Sequence, residues 1–151
     1  MIYIVSIIMC GLLMSCAQVV TTVETKKTDE QAIAQLIEGI VAAYNTRDLE
    51  VQLAAYAADA RIESLAARGA PMSRDQYAAL RRTWTPRGTV YLRALSVNVL
   101  SANTAGATAL FRLVNGDQNI LGRRAFRLAR RSGQWLVVDA RFVGPIPWDQ
   151  K

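Results

Sequence analysis

The sequence predicts an α+β fold, and three observations carry that reading. Between residues 28 and 84, apolar side chains recur at helical spacing in three runs, with one short strand among them. From residue 89 to residue 143 they alternate with polar residues in period two, broken by turn signals. Helices therefore come first and an antiparallel meander follows, the order of a sheet covered by segregated helices rather than of alternating βαβ units.

Each element has its own signal. Thr28-Asp29-Glu30-Gln31 is a capping box, and Ile33, Leu36, Ile37, Ile40, Val41 and Tyr44 give one apolar stripe to about residue 45. Asn45-Thr46-Arg47-Asp48 breaks this helix, and Asp48 caps a shorter one carrying Leu49, Leu53 and Tyr56. A short strand is expected over 60–65. Ser73-Arg74-Asp75-Gln76 repeats the capping pattern, and Tyr77, Leu80 and Trp84 mark a third helix stopped by Thr85-Pro86-Arg87-Gly88. Strands are expected over 89–100, 105–114, 119–130 and 134–143, with turns at Asn103–Gly106, Asn115-Gly116-Asp117 and Arg131-Ser132-Gly133.

The turns imply registers. With Val114 opposite Asn119, Leu113 faces Ile120, Phe111 faces Gly122 and Ala109 faces Arg124. Arg131-Ser132-Gly133 fits a three-residue hairpin loop, which puts Arg130 opposite Gln134 and Phe126 opposite Val138. One sheet face then holds Phe111, Leu113, Ile120, Phe126, Leu128, Leu136, Val138 and Phe142, with Arg124 in its middle. The other holds Arg112, Arg123, Arg127, Trp135, Asp139 and Arg141.

The chain of 151 residues is one domain's length, and 52% hydrophobic with 20% charged residues is a globular composition. Histidine is absent, and the two cysteines, Cys10 and Cys16, lie in the first sixteen residues. This excludes a histidine base, histidine-ligated zinc, copper or haem, and a catalytic thiol or structural disulfide in the folded part. No cofactor or metal motif occurs, and no residue is assigned a catalytic role. Residues 61–151 carry fifteen bases against five acids, whereas residues 17–60 carry three against seven. The basic half has no aromatic-interleaved stripe, which argues against nucleic acid and for arginines on solvent-facing strand positions.

The first 23 residues are uncharged, and Ile2 to Met14 form an apolar run. As a helix it would span about 20 Å, short of a membrane core of about 30 Å and suited to a secretory signal. Leu13-Met14-Ser15-Cys16 resembles the bacterial lipobox. The resemblance implies a lipoprotein: a signal peptide over 1–15, acylation of Cys16, for instance by palmitate, and a membrane anchor in the cell envelope. Residues 16–27 then form the lipidated cysteine and a polar tether, and 28–151 the folded domain. An uncleaved anchor is the alternative.

The stretch AIAQLIEGIVAAYNTRDLEVQLAAYAADARIES, with RSGQWLVVDARF near the end, resembles the nuclear transport factor 2-like superfamily, also called SnoaL-like or ketosteroid-isomerase-like. The resemblance covers about residues 28–143. It implies a cone: a curved antiparallel sheet wrapping the long helix and two shorter ones, a cavity at the open end, and dimers through the outer sheet face. In the isomerase branch, the general base falls on Ser64, the oxyanion-donor tyrosine on Ile40 and the protonated acid on Arg124. All three roles are lost, and Glu63 is expected to alternate outward from Ser64.

Arg124 is the residue of most interest. An arginine on an apolar, helix-covered face needs an acceptor. It either anchors an anionic ligand group, or pairs with a helix acid or a C-terminal carbonyl, or sits on the outer face should the register differ. Ile40, Ser64, Tyr44 and Tyr56 complete the expected ligand-binding set, with Tyr44 and Tyr56 as core or cavity wall. Trp135, with Arg123 and Arg127, is the expected interface group, as a dimer anchor or surface aromatic. Asp139 is expected in a salt-bridge ladder with those arginines, and Trp148 in the proline-rich tail to fold back on the domain. The combined expectation is a lipid-anchored envelope protein binding a small amphipathic or anionic ligand or a protein partner. The alternative is an enzyme working without histidine.

Overall fold

A computed structural model of the chain describes residues 10–84 and 88–144, with side chains from residue 24 onward. The first nine residues, the Cys16 side chain, the Thr85-Pro86-Arg87 stop and the tail with Trp148 lie outside the described residues. No described helix is long and apolar enough to cross a membrane.

The long helix α1 runs Cys10–Thr46 without a break. Thr28 is therefore not a cap. Its hydroxyl donates to the Glu24 carbonyl at 2.9 Å, the back-bonded state open to a threonine inside a helix. The apolar stripe behaves as its spacing requires: Ile33, Ile37 and Ile40 are buried. Arg47 ends the helix in the left-handed region at φ 63°. Just before it, the Asn45 amide exchanges two 2.8 Å hydrogen bonds with the Val90 backbone, fixing the helix end to the sheet. Asp48 caps α2 (Leu49–Ala54) by accepting from the Val51 amide.

Strand β1 (Tyr56–Glu63) starts four residues earlier than expected, so Tyr56 belongs to the sheet and not to a helix. It ends where Ser64 caps the short 3-10 turn Leu65–Ala67. A three-residue edge strand, β2 (Pro71–Ser73), was not expected; its proline is tolerated because it sits at the edge. Helix α3 (Arg74–Thr83) opens with the expected capping box, both bonds between Ser73 and Gln76 being made. Strands β3 (Thr89–Ser101), β4 (Thr104–Asn115), β5 (Gln118–Arg131) and β6 (Gln134–Val143) form the meander.

The six strands lie in the order β2-β1-β6-β5-β4-β3. All neighbours are antiparallel except β1 and β6, so the sheet is mixed. No hairpin joins β1 to β6, and nothing local dictates their relative direction. The β4–β5 register is the expected one, including Phe111 opposite Gly122 and Ala109 opposite Arg124.

The β5–β6 register differs. The turn holds two residues, Ser132 and Gly133, both at positive φ (48° and 81°), and Arg131 pairs with Gln134. Two left-handed residues in succession make the turn whose twist suits a hairpin. The one-residue change moves Trp135 and Val137 to the concave face, and Leu136 to the convex one. A bulge at Val138 then restores the parity, so Phe126 faces Ala140 and Arg124 faces Phe142. Bulges here and in β3, where Ala94 is left-handed at φ 48°, bend the sheet around α1.

Candidate functional site

At the C-terminal end of α1, the concave sheet face and α3 enclose a pocket of about 70 Å³. Its walls are mostly aromatic and aliphatic: Trp84, Phe111, Phe126 and Phe142 face Ile40 and Leu92. Phe111 lies across Gly122, where a β-carbon would stand 2.5 Å from Cζ of the ring.

Two arginines enter this apolar space. Arg124 comes from the middle of β5, as its register demands. Its Nη2 donates to the Glu63 carbonyl at 2.8 Å, and its guanidinium lies 5.6 Å and 5.2 Å from the Phe126 and Phe142 ring centres. Its partner is thus a carbonyl at the end of β1, neither the helix acid nor the C-terminal carbonyl that was expected. Its buried Nε has no protein acceptor.

Arg81 was not anticipated. It is 6% exposed, on the buried face of α3. Its Nη1 donates to Gln52 Oε1 at 2.8 Å and to the Tyr77 hydroxyl at 2.9 Å. The guanidinium lies over the Tyr44 ring at 4.9 Å and near the Tyr77 ring at 5.7 Å. The available signal was the spacing of Tyr77, Arg81 and Trp84, which places all three on one helical face. Among the described residues, neither Arg81 nor Arg124 has a carboxylate within 4.0 Å.

Ser64, Ile40 and Tyr44, three of the expected ligand-binding residues, line the pocket. The Ser64 hydroxyl accepts from the Ala66 amide at 3.3 Å and is occupied in the cap. Tyr56 does not line the pocket. It is 2% exposed beneath it, with its ring 6.2 Å from Tyr77 and its hydroxyl without a protein partner. Burial pushes its phenol up to about 12, and burial likewise raises Tyr44 above its ordinary value against the opposing pull of Arg81. Both phenols therefore stay protonated at neutral pH.

Glu63 also departs from expectation: it lines the pocket. Its Oε2 accepts from the Phe142 amide at 2.7 Å. The alternation that would turn it outward fails because the strand ends there. The interface group divides. Arg123 and Arg127 are exposed on the convex face, whereas Trp135 is buried on the concave side and donates to Asp29 at 3.2 Å. Asp139 sits opposite Arg127 but makes no ion pair within 4.0 Å among the described residues.

No family model and no curated protein sequence matches the chain. Solved structures do. A protein of unknown function from Pseudomonas putida, described as NTF2-like, superposes with a TM-score of 0.68 at 25% identity, covering 82% of this chain and 91% of that one. The fold is that of the NTF2-like superfamily. Other neighbours have diverse descriptions. A candidate scytalone dehydratase from Novosphingobium aromaticivorans has a TM-score of 0.64 at 12% identity, covering 81% of this chain and 89% of that one. The association domain of a Caenorhabditis elegans calcium/calmodulin-dependent kinase has 0.65 at 11%, covering 80% and 99%. At those identities the likeness is one of fold, and fold does not carry function.

Proposed function

We propose that this NTF2-like domain binds a small amphipathic molecule in its cone without transforming it, and that a lipid on Cys16 holds it in the bacterial cell envelope. The observation that carries the binding reading is the aromatic-walled pocket into which two arginines bring unspent donors. Apolar walls with a few convergent polar groups are the usual make-up of a small-molecule site. The case against turnover rests on the groups themselves. The Ser64 hydroxyl is occupied in a cap, and Tyr44 is held in its neutral form by burial. General acid–base work needs a group poised near the working pH.

A second reading, an enzyme without histidine, draws support from Glu63, a carboxylate in the pocket wall. Association of two copies through the convex face is consistent with the exposed Arg123 and Arg127 there.

Native mass spectrometry of the full chain, gently purified in detergent, tests these readings together. The expected result is a reproducible small-molecule adduct that Arg124→Leu removes, with the subunit count read from the same spectrum. A chain that never carries an adduct, in any preparation, counts against the binding reading. Turnover of the recovered molecule, abolished by Glu63→Gln, favours the enzyme. Cys16→Ser should release the protein from the membrane fraction and remove the mass of the lipid; continued membrane association contradicts lipid anchoring.

A further inference from the structure

The charge in the pocket wall specifies more than an amphipathic guest. Resting on the ligand-binding reading above, we infer that the cone selects a small monocarboxylate, whose carboxylate is received by Arg81. Three charged residues line the pocket: Arg81, Arg124 and Glu63. Two arginines against one glutamate leave a single uncompensated positive charge. A monoanion neutralises it; an inorganic phosphate dianion overshoots.

Arg81 is the receiving group because its surroundings hold it in place without neutralising it. It is 94% buried, and a buried cation with only neutral partners is costly. Its two bonds, to Gln52 and Tyr77, both use Nη1, and among the described residues no hydrogen bond to the protein uses Nη2. The guanidinium carbon lies 4.9 Å from the centre of the Tyr44 ring, and a carboxylate would meet the remaining Nη2 in a charge-assisted hydrogen bond. Arg124 is less free, since Glu63 already takes one of its nitrogens through the carbonyl. It contributes field to the same space.

Size narrows the class. The pocket, at about 70 Å³, is roughly half the size of an apolar cavity that admits benzene, so a short, compact hydrocarbon body fits inside and a ring would protrude. The aromatic walls suit that body, and the guanidinium suits its head.

The test uses the full chain in detergent, titrated with butyrate, with its neutral isostere butyramide, and with inorganic phosphate. Calorimetry gives affinity, and the Trp84 indole resonance reports entry into the pocket. Butyrate is expected to bind about tenfold or more tighter than butyramide, the margin of a charge-assisted pair over a neutral one. Arg81→Gln should erase that preference while butyramide still moves Trp84. Equal binding of acid and amide to the native chain overturns the inference and leaves the cone a ligand site. A preference that survives Arg81→Gln overturns the assignment to Arg81, and phosphate binding tighter than butyrate overturns the class. Should Arg81→Gln fail to fold, the acid-to-amide ratio of the native chain decides. If none of the three probes moves Trp84, this inference falls, while the ligand-binding reading stands or falls by the adduct in native mass spectrometry.

Discussion

Two arginine–aromatic clusters sit at opposite ends of the interface between α1 and the sheet, and they are built differently. Near the start of the packed part of α1, Arg130 lies 4.7 Å over the Trp135 ring and pairs with Asp29, which also accepts from the indole. There the cation has its acid, although Arg130 Nε bonds to no protein acceptor, and the ring shares the same carboxylate. At the other end Arg81 lies over Tyr44 and bonds only to neutral groups. A set that holds its acid makes a clip; a set lacking its anion makes a receptor. The same residue types serve stability in one place and recognition in the other, and the presence of an acid decides which.

The comparison breaks most visibly at Asp29. Asp29→Ala strands both the Arg130 cation and the Trp135 N–H, and should cost about 2–4 kcal/mol in urea unfolding. A cost under about 0.5 kcal/mol, the ordinary surface level, would show that this cluster is no clip.

The next effect belongs to the open end. With its folded pKa raised from 10.0 to about 12, Tyr56 is held neutral by the fold. Its contribution is complete below pH 10 and is lost as pH climbs from 10 towards 12, at about 1.4 kcal/mol per unit. Denaturant midpoints between pH 9 and 11.5 should fall less steeply for Tyr56→Phe than for the native chain. Parallel curves would mean that water reaches the phenol.

The smallest effect is the sharpest discriminator. Arg81→Met with Gln52→Leu removes a cation that has no counter-ion along with its main partner. Folding stability should change by no more than about 1 kcal/mol, or rise, as when buried polar groups give way to packed apolar ones. A loss comparable to that of Asp29→Ala would make Arg81 a clip too.

The sequence made the architecture legible, and it made the site legible only in part. The α1 stripe and the β4–β5 register followed from helical spacing and the Asn115-Gly116-Asp117 turn, and with them came Ile40, Tyr44 and Arg124. Trp135 was misplaced by one residue of turn length. Ser132 adopts a left-handed conformation usually taken by glycine or asparagine, and period-two alternation carries such an offset down the strand until the Val138 bulge cancels it. Asp139, Arg141 and Phe142 were placed correctly because the two offsets compensate. Glu63 was misjudged because alternation was extended past the strand's last residue. Arg81 escaped notice because α3 was read through its apolar positions, and a buried arginine looks like a surface one until its aromatic neighbours on the same face are counted.

Gly122 gives the pocket an adjustable floor. The Phe111 ring occupies the room that a side chain at 122 would need, so one atom there must displace the ring rather than the backbone. The glycine thereby sets the capacity of the cone through the Phe111 ring. Descendants of this sequence can lengthen or shorten the guest by exchanging residues at 122 and 111 while the charge selector stays as it is. Tuning for size and tuning for charge are thus separable, and a lineage can explore one without losing the other.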